Sequence, residues 1–334
     1  MVQKKMSVKE IAEMAGTSVA TVSRVINQNG RFSKATEKRV RDIIEEYGYQ
    51  PNQLARGLRV NRTQVIGILV PDITNEFFAS ITKEVQRHLL EKNYITLICS
   101  TNENVMEAKE QLRMLLAQKV SGIIYIGGED IAETITVPTV YIDRDPHITK
   151  TEVNDNYVMI ECDNVQGGYL AGRELVKKGA RNIAYVCYGK ELSTIKKRIQ
   201  GCNSALQEAG IELDAANGIY VDEVSLSEGM RATEYIMEKM KGVDGIFYMS
   251  DLLAVGGVSY FAEKQIRIPE QVKLVGFDDI SISNSIYPKL TTVHQPVDEF
   301  GRLAALYITD MINGKDIKSQ RQHIPVELIV RETT

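Results

Sequence analysis

Ser7-Val8-Lys9-Glu10-Ile11-Ala12-Glu13-Met14-Ala15-Gly16-Thr17-Ser18-Val19-Ala20-Thr21-Val22-Ser23-Arg24-Val25-Ile26-Asn27 is the stretch on which the reading of this chain turns. Ser7 to Glu10 forms a capping box, in which a hydroxyl and a carboxylate each satisfy an orphan N–H. Val8, Ile11, Ala12 and Ala15 follow at helical spacing, and Gly16 can take the positive φ that closes the helix. Thr17 or Ser18 can cap a second helix that buries Val22, Val25 and Ile26. Residues 27–30 are a turn-rich break. Ser33 can cap a third helix with Val40, Ile43, Ile44 and Tyr47 on its inner face and Gly48 at its end. Two short helices joined by a tight Gly-containing turn make a helix-turn-helix, although an ordinary three-helix bundle has the same texture. In a helix-turn-helix the second helix enters the major groove. Val19, Ala20 and Arg24 would then face base edges. Arg24 suits guanine O6 and N7, and Ala20 a thymine methyl. Thr21, Ser23 and Asn27 are short polar groups suited to phosphates.

The surrounding composition agrees with a polyanion partner for this head alone. Residues 1–62 carry twelve Lys and Arg against six Asp and Glu, a balance of +6 in a chain of formal charge −4, which leaves −10 for the remainder. Hydrophobic residues make up 43% and charged residues 25% of the 334, enough apolar material for a sizeable core and two or three domains. No run approaches the roughly 18 apolar residues of a membrane span. The basic start Met1 to Glu10 has no apolar run behind it, so a signal peptide is not expected and the chain reads as cytoplasmic. Cys99, Cys162, Cys187 and Cys202 form no C-x-x-C pair or cluster with His, so no metal site is expected. The first three adjoin apolar runs and read as buried reduced thiols.

From Thr63 the pattern changes to apolar runs alternating with amphipathic helices. The runs are 65–70, 94–99, 122–126, 137–142, 157–161, 183–187, 245–249, 272–276 and a last one at 324–330, with helices expected at about 77–92 and 105–118 between the first of them. Near-continuous Val/Ile/Leu runs are strands buried on both faces, and strand-helix alternation gives parallel, doubly wound sheets. The units are too many for one sheet, so the fold class is α/β: a three-helix head, a hinge, then two doubly wound lobes. Ligands of such folds sit at the carboxyl ends of strands. Asn75, Phe77 and Phe78 stand there after the first strand, Asp143 and Arg144 after Ile142, Ser250 and Asp251 after Met249, and Phe277 and Asp278 after Gly276. Arg198 begins a later helix, and Gln295 lies at an expected crossover. Two aromatics beside an amide suit a sugar ring, and carboxylates with arginines suit vicinal hydroxyls.

Residues 8–18 and 20–27 closely resemble the head of lactose-repressor-type (LacI-type) regulators. Gly48-Tyr49-Gln50-Pro51-Asn52-Gln53-Leu54-Ala55-Arg56-Gly57-Leu58-Arg59 resembles that family's hinge. Val275-Gly276-Phe277-Asp278-Asp279 and Leu290-Thr291-Thr292-Val293-His294-Gln295-Pro296 extend the resemblance to almost the whole chain. It implies a head at 1–47, a hinge at 48–62 and an effector-binding and dimerisation domain at 63–334. Lobe one would take about 63–162 and 295–324, and lobe two about 163–294 and 325–334, as in periplasmic sugar-binding proteins. The resemblance places Ser7, Thr17 and Ser18 beside the groove-facing residues. In the hinge, too short to be a stable helix alone, it implies ordering on DNA, with Leu58 wedged into a minor-groove step and Ala55, Arg56 and Arg59 near the backbone. Asn75, Phe77, Phe78, Asp143, Arg144, Arg198, Phe277, Asp278 and Gln295 resemble the contacts of ribose-binding relatives, and Thr194 and Ser250 complete the expected ligand set. Cys202 replaces a Phe and Ala180 a His; Ser250 stands where relatives carry Asn and Val224 replaces an aromatic, and these last two leave the sugar's identity open.

The resulting expectation is a homodimeric repressor that reads a pseudo-palindromic operator and is controlled by a small sugar, ribose or a related monosaccharide. A corepressor-dependent regulator sensing a non-sugar metabolite is the alternative, and a sugar-binding module without DNA regulation a further one. Neither a cofactor nor a membrane partner is expected. The chain ends a few residues past its last strand with no heptad tail, so a tetramer is not expected. An enzyme is not expected either: no G-x-G-x-x-G follows the first strand, and H-E-x-x-H, P-loop and G-x-S-x-G motifs are absent from the sequence.

Overall fold

The computed structural model describes residues 6–26, 28–49, 63–128, 131, 135–144, 157–189, 192–212, 217–317 and 320–334. The chain divides into two compact units, 1–63 and 64–334, each described by itself. Asn27, Ala55, Arg56, Leu58 and Arg59, and with them nearly all of the expected hinge, lie outside the described residues.

The described residues of the first unit form three short helices, α1 (Val8–Met14), α2 (Val19–Ile26) and α3 (Lys34–Glu46). The capping box forms as read: the Ser7 N–H donates to Glu10 Oε2 at 2.7 Å and the Glu10 N–H to Ser7 Oγ at 3.3 Å. Of the two candidate caps for α2, Ser18 acts, its Oγ accepting the Thr21 N–H at 3.2 Å. Ile11, Ala12, Ala15, Val22, Val25 and Val40 fill the core. Tyr47 does not join them. It caps α3 and is 48% exposed, while Tyr49 packs on the core from beyond the turn. The chain leaves α3 through Gly48 at φ +59, which swings the second tyrosine inward.

The second unit holds two six-stranded sheets. The first has the order β11-β5-β4-β3-β1-β2, from β1 (Val65–Val70), β2 (Ile95–Ser100), β3 (Gly122–Ile126), β4 (Thr139–Ile142), β5 (Tyr157–Cys162) and β11 (Gln320–Ile324). The second has the order β12-β10-β9-β8-β6-β7, from β6 (Ile183–Tyr188), β7 (Gly218–Val221), β8 (Gly245–Tyr248), β9 (Lys273–Asp278), β10 (Thr291–His294) and β12 (Glu327–Ile329). All recorded pairings are parallel except β10 with β12. Among the described residues, the α-helices that connect them are α4 (Glu76–Glu91), α5 (Val105–Ala117), α6 (Asn164–Lys177), α7 (Ser193–Glu208), α8 (Leu226–Lys239), α9 (Asp251–Glu263) and α10 (Val297–Ile312). The central strands are buried along almost all of their length, as their Val/Ile/Leu runs require.

Three strands are absent from the apolar runs read in the sequence. β7, β10 and β11 are short or polar; β7 and β11 are sheet edges, and Gln320-Arg321-Gln322-His323-Ile324 has one apolar residue. The single run expected at 324–330 is in fact the end of β11 in one sheet and β12 in the other, parted by a crossover. The chain passes between the sheets three times, after β5, after β10 and after β11.

Candidate functional site: the cleft between the sheets

The carboxyl ends of strands from both sheets face one cleft, with about 60 Å³ open to the centres of water molecules, room for a handful of waters. Asn75, Phe77 and Phe78 line it from the start of α4, Asp143 and Arg144 from the end of β4, Thr194 and Arg198 from α7, and Ser250 and Asp278 from the ends of β8 and β9. Glu103, Tyr188, Leu192, Ile195, Val224, Met249 and Leu253 complete the wall. Of these, only Val224 was singled out in the sequence. Glu103 follows β2 and Tyr188 ends β6, so applying the strand-end rule to every strand finds both.

Asn75, Arg144, Arg198 and Asp278 are each held by neighbouring groups. Asn75 caps α4, its Oδ1 accepting the Phe77 N–H at 3.0 Å. Arg144 donates to the Gly127 carbonyl at 3.0 Å and to Glu103 Oε1 at 3.2 Å, and its guanidinium stands 5.4 Å from the Phe78 ring centre. Arg198 donates Nε–H to Asn164 Oδ1 at 2.8 Å and Nη1–H to the Met249 carbonyl at 2.7 Å. Its Cζ lies 3.6 Å above the Phe277 ring. Phe277 is therefore a fully buried platform under the arginine and does not reach the cleft. Gln295 likewise stands behind it, donating Nε2–H to Asp278 Oδ1 at 2.8 Å, while Ser250 Oγ donates to Asp278 Oδ2 at 3.2 Å. Asp143 Oδ1 is buried with no hydrogen-bond partner. Burial raises the Asp143 carboxyl above its usual range against the pull of Arg198 and Arg144.

Behind the cleft, Asp251 is fully buried at the start of α9. Ser283 Oγ donates to it at 2.6 Å, Thr292 Oγ1 at 2.5 Å and the Ile280 N–H at 3.0 Å. Burial, and then the neighbouring Asp278 carboxyl, push Asp251 up to about 8. A carboxyl whose folded pKa exceeds its unfolded value contributes stability that is full below the unfolded value and lost as pH rises through the folded one. Wild-type stability should therefore fall between pH 4 and pH 8 relative to Asp251→Asn, a divergence that urea midpoints across that range would read. Parallel midpoints would show that Asp251 does not take up its proton on folding.

Among the described residues, polar contacts between the lobes include two that lie apart from the groups above. The Ser281 N–H and Oγ donate to Glu76 Oε1 at 2.7 Å and Oε2 at 3.0 Å, and Lys197 pairs with the fully buried Glu161 at 2.5 Å. Among the described residues no three His, Cys, Asp or Glu gather as a metal site, and no helix is long and apolar enough to cross a membrane. In the head, Val19, Ala20 and Arg24 are exposed along α2 with Ser7 and Ser18, while Thr17, Thr21 and Ser23 are half-buried.

Known proteins share this plan. Residues 7–52 match the family described as bacterial regulatory proteins, lacI family, and residues 173–334 a periplasmic binding protein-like domain. The HTH-type transcriptional regulator RegA of Clostridium saccharobutylicum is 32% identical over 333 residues, 98% of this chain and 99% of its own. The ribose operon repressor of Halalkalibacterium halodurans is 31% identical over 98% of this chain and 97% of its own, and the transcriptional repressor PurR of Photobacterium profundum 30% over 98% of both. The structure of a transcriptional regulator, CelR, with cellobiose superposes with TM-score 0.74 at 28% identity, over 98% of this chain and 100% of that one. The lac repressor dimer on its operator superposes with TM-score 0.86 at 24% identity, over 99% of each chain, a likeness of fold. The curated relatives named here are regulators of transcription, not enzymes. With such relatives along nearly its whole length, the chain belongs to the LacI family of bacterial regulatory proteins.

Proposed function

We propose that the chain is a cytoplasmic, homodimeric repressor whose hold on a pseudo-palindromic operator is changed by a small sugar, ribose or a related monosaccharide, bound between its lobes. Residues 1–47 form the DNA-reading head, 48–62 the hinge and 63–334 the sensing body, with lobes divided at 162, 294 and 324. Arg24 and Ala20 read bases beside Val19. Ser7, Thr17, Ser18, Thr21, Ser23 and Asn27 serve the backbone, with Ala55, Arg56, Leu58 and Arg59 acting from the hinge. A second copy is supported by exposed apolar side chains along one flank of each lobe: Leu90, Ile95, Met106 and Met114 on or beside the edge strand β2, and Tyr220 on the edge strand β7.

The observation that carries the sugar reading is the unpartnered Asp143 Oδ1 in a cleft flanked by Arg144 and Arg198. A buried acceptor without a donor asks for a ligand rich in hydroxyl or amine hydrogens. The lining carries Glu103, Asp143 and Asp278 against two arginines, a balance that disfavours a phosphorylated sugar. Asn75, Phe77, Phe78, Thr194 and Ser250 provide the remaining contacts, and Phe277 and Gln295 act from behind Arg198 and Asp278.

The test is thermal unfolding of the protein with pentoses, hexoses, their phosphates and purines, followed by anisotropy on a duplex selected by the protein from random DNA. A neutral sugar at 100 times its dissociation constant should add about 2.7 kcal/mol of stability and weaken the duplex complex. The kinship with PurR favours a second reading: stabilisation by a purine, with tighter DNA binding, would replace the sugar by a corepressor.

A further inference from the structure

Asp278 and Asp279 close β9 with φ values of 120 and 59. Two consecutive non-glycine residues thus take the positive-φ region that L side chains disfavour, and such geometry persists only where the surroundings over-determine it. Here they do so through Asp279. Its Oδ1 accepts from Arg331 Nη2 at 2.6 Å, and its Oδ2 pairs with His294 Nδ1 at 2.9 Å. Arg331 is itself fixed, donating Nη1–H to the Leu290 carbonyl at 2.8 Å and its N–H to Thr291 Oγ1 at 2.9 Å.

The second observation is one of succession. His294 and Gln295 are consecutive, and they grip consecutive aspartates: His294 holds Asp279, and Gln295 holds Asp278 at 2.8 Å. His294 lies in register with Asp278 across the β9-β10 pair. The same two residues lead straight through Pro296 into α10, which packs on α4 of the other lobe. The cleft carboxylate, the crossover and the carboxyl-terminal segment therefore meet at Asp279.

We propose that Asp279, His294 and Arg331 form a clasp behind the cleft that sets the position of Asp278 and ties it to the crossover between the lobes. Asp279 is a positioning residue, and the proposal rests on the reading of Asp278 as an effector contact. Any turn of the crossover on lobe movement drags His294 and Gln295 together, and with them both aspartates. The charged groups facing His294 are Asp279, Glu327 opposite it on β12, and Asp298 on α10. The hydrogen bond to Asp279, set against burial, holds the imidazolium above the usual histidine range. Burial would raise Asp279, but the bonds from His294 and Arg331 outweigh it and hold that carboxyl low. Both shifts favour the charged forms of the pair.

The experiment compares full-length wild type, Asp279→Ala and Arg331→Gln, labelled with ¹³C at the aspartate carboxyls, with Asp278 assigned through Asp278→Asn. Burial now holds Asp278 well above the ordinary carboxylate range. A released turn should let its titration midpoint drop by about one unit or more, and D-ribose affinity, read by calorimetry, should fall about tenfold. Should Asp279→Ala fail to fold, Arg331→Gln, which keeps the His294 bond, should show a smaller shift in the same direction. An unchanged Asp278 midpoint in a folded variant overturns the clasp. If wild type does not bind ribose, the sugar reading fails on its own and the Asp278 titration still decides the clasp.

Discussion

Arg198→Ala should abolish the effector response and lower the melting temperature of the body together. Arg198 is 6% exposed, and its guanidinium donates hydrogen bonds to Asn164 and Met249 and rests on Phe277 at 3.6 Å. Its charge also offsets the burial of Asp143 and Asp278, which face the cleft from opposite lobes. Alanine would strand the Asn164 and Met249 acceptors, expose a ring face and leave the two carboxyls to neutralise by taking up protons. Breaking a buried charge network by removing one partner costs about 3–5 kcal/mol, which for a body of this size is a drop of roughly 10 °C. Effector affinity should fall about 100-fold or more, the scale of losing a desolvated charged contact. Arg198→Lys keeps the charge but not the planar fork that reaches Asn164 and Met249 at once, so it should recover stability better than affinity. Differential scanning calorimetry and ligand titration on the three proteins make the check. A folded alanine variant with unaltered ligand affinity would remove Arg198 from the site.

How much of this was legible in the sequence follows from what each residue's signal depends on. The strands at 65–70 and 122–126 announce themselves because burial on both faces forces continuous apolar runs. β11 gives no such run: as an edge strand it is fixed by pairing with β5, and pairing leaves little mark on composition. The head was legible to the level of single caps, since capping is local, with Ser18 chosen over Thr17 by geometry. Helical spacing alone points Tyr47 inward, but the positive-φ Gly48 redirects the chain so that Tyr49 packs on the core instead.

The cleft was found by the rule that ligands gather at strand ends, and that rule has a blind spot. It finds residues near the site without telling which side chain points in and which supports from behind. Phe277 and Gln295 sit at such ends too, yet both stand one layer back, beneath Arg198 and Asp278. Glu103 and Tyr188 occupy strand ends and line the cavity, yet carry no motif. The clasp at Asp279 was out of reach altogether, because it depends on Arg331 meeting a turn more than fifty positions earlier.

The second large effect is expected at a residue without a side chain, Gly201. A Cβ there would stand 1.8 Å from the Val165 carbonyl oxygen, and one at Gly168 2.0 Å from that of Arg198. α6 and α7 thus touch backbone to backbone, and no rotamer change can relieve an added methyl. Gly201→Ala should force the helices apart and cost about 3 kcal/mol or more, the upper range of overpacking. Gly210→Ala separates sterics from conformation: its Cβ would meet nothing within 4 Å, but its φ is +70, so its cost should be about 1 kcal/mol of backbone strain. The separation reaches the cleft, because α6 carries Asn164 and α7 carries Arg198, and their 2.8 Å bond spans the gap that the methyl would widen. It also reaches Cys202, which burial raises to about 12 and renders inert. In Gly201→Ala a thiol reagent should label Cys202 faster than in wild type, with a Cys202→Ser partner identifying the signal, while Gly210→Ala should leave that rate unchanged. Equal labelling and equal melting in Gly201→Ala and wild type would mean that the two helices yield without cost, and the tight α6-α7 seam would then not be what aims Arg198 into the cleft.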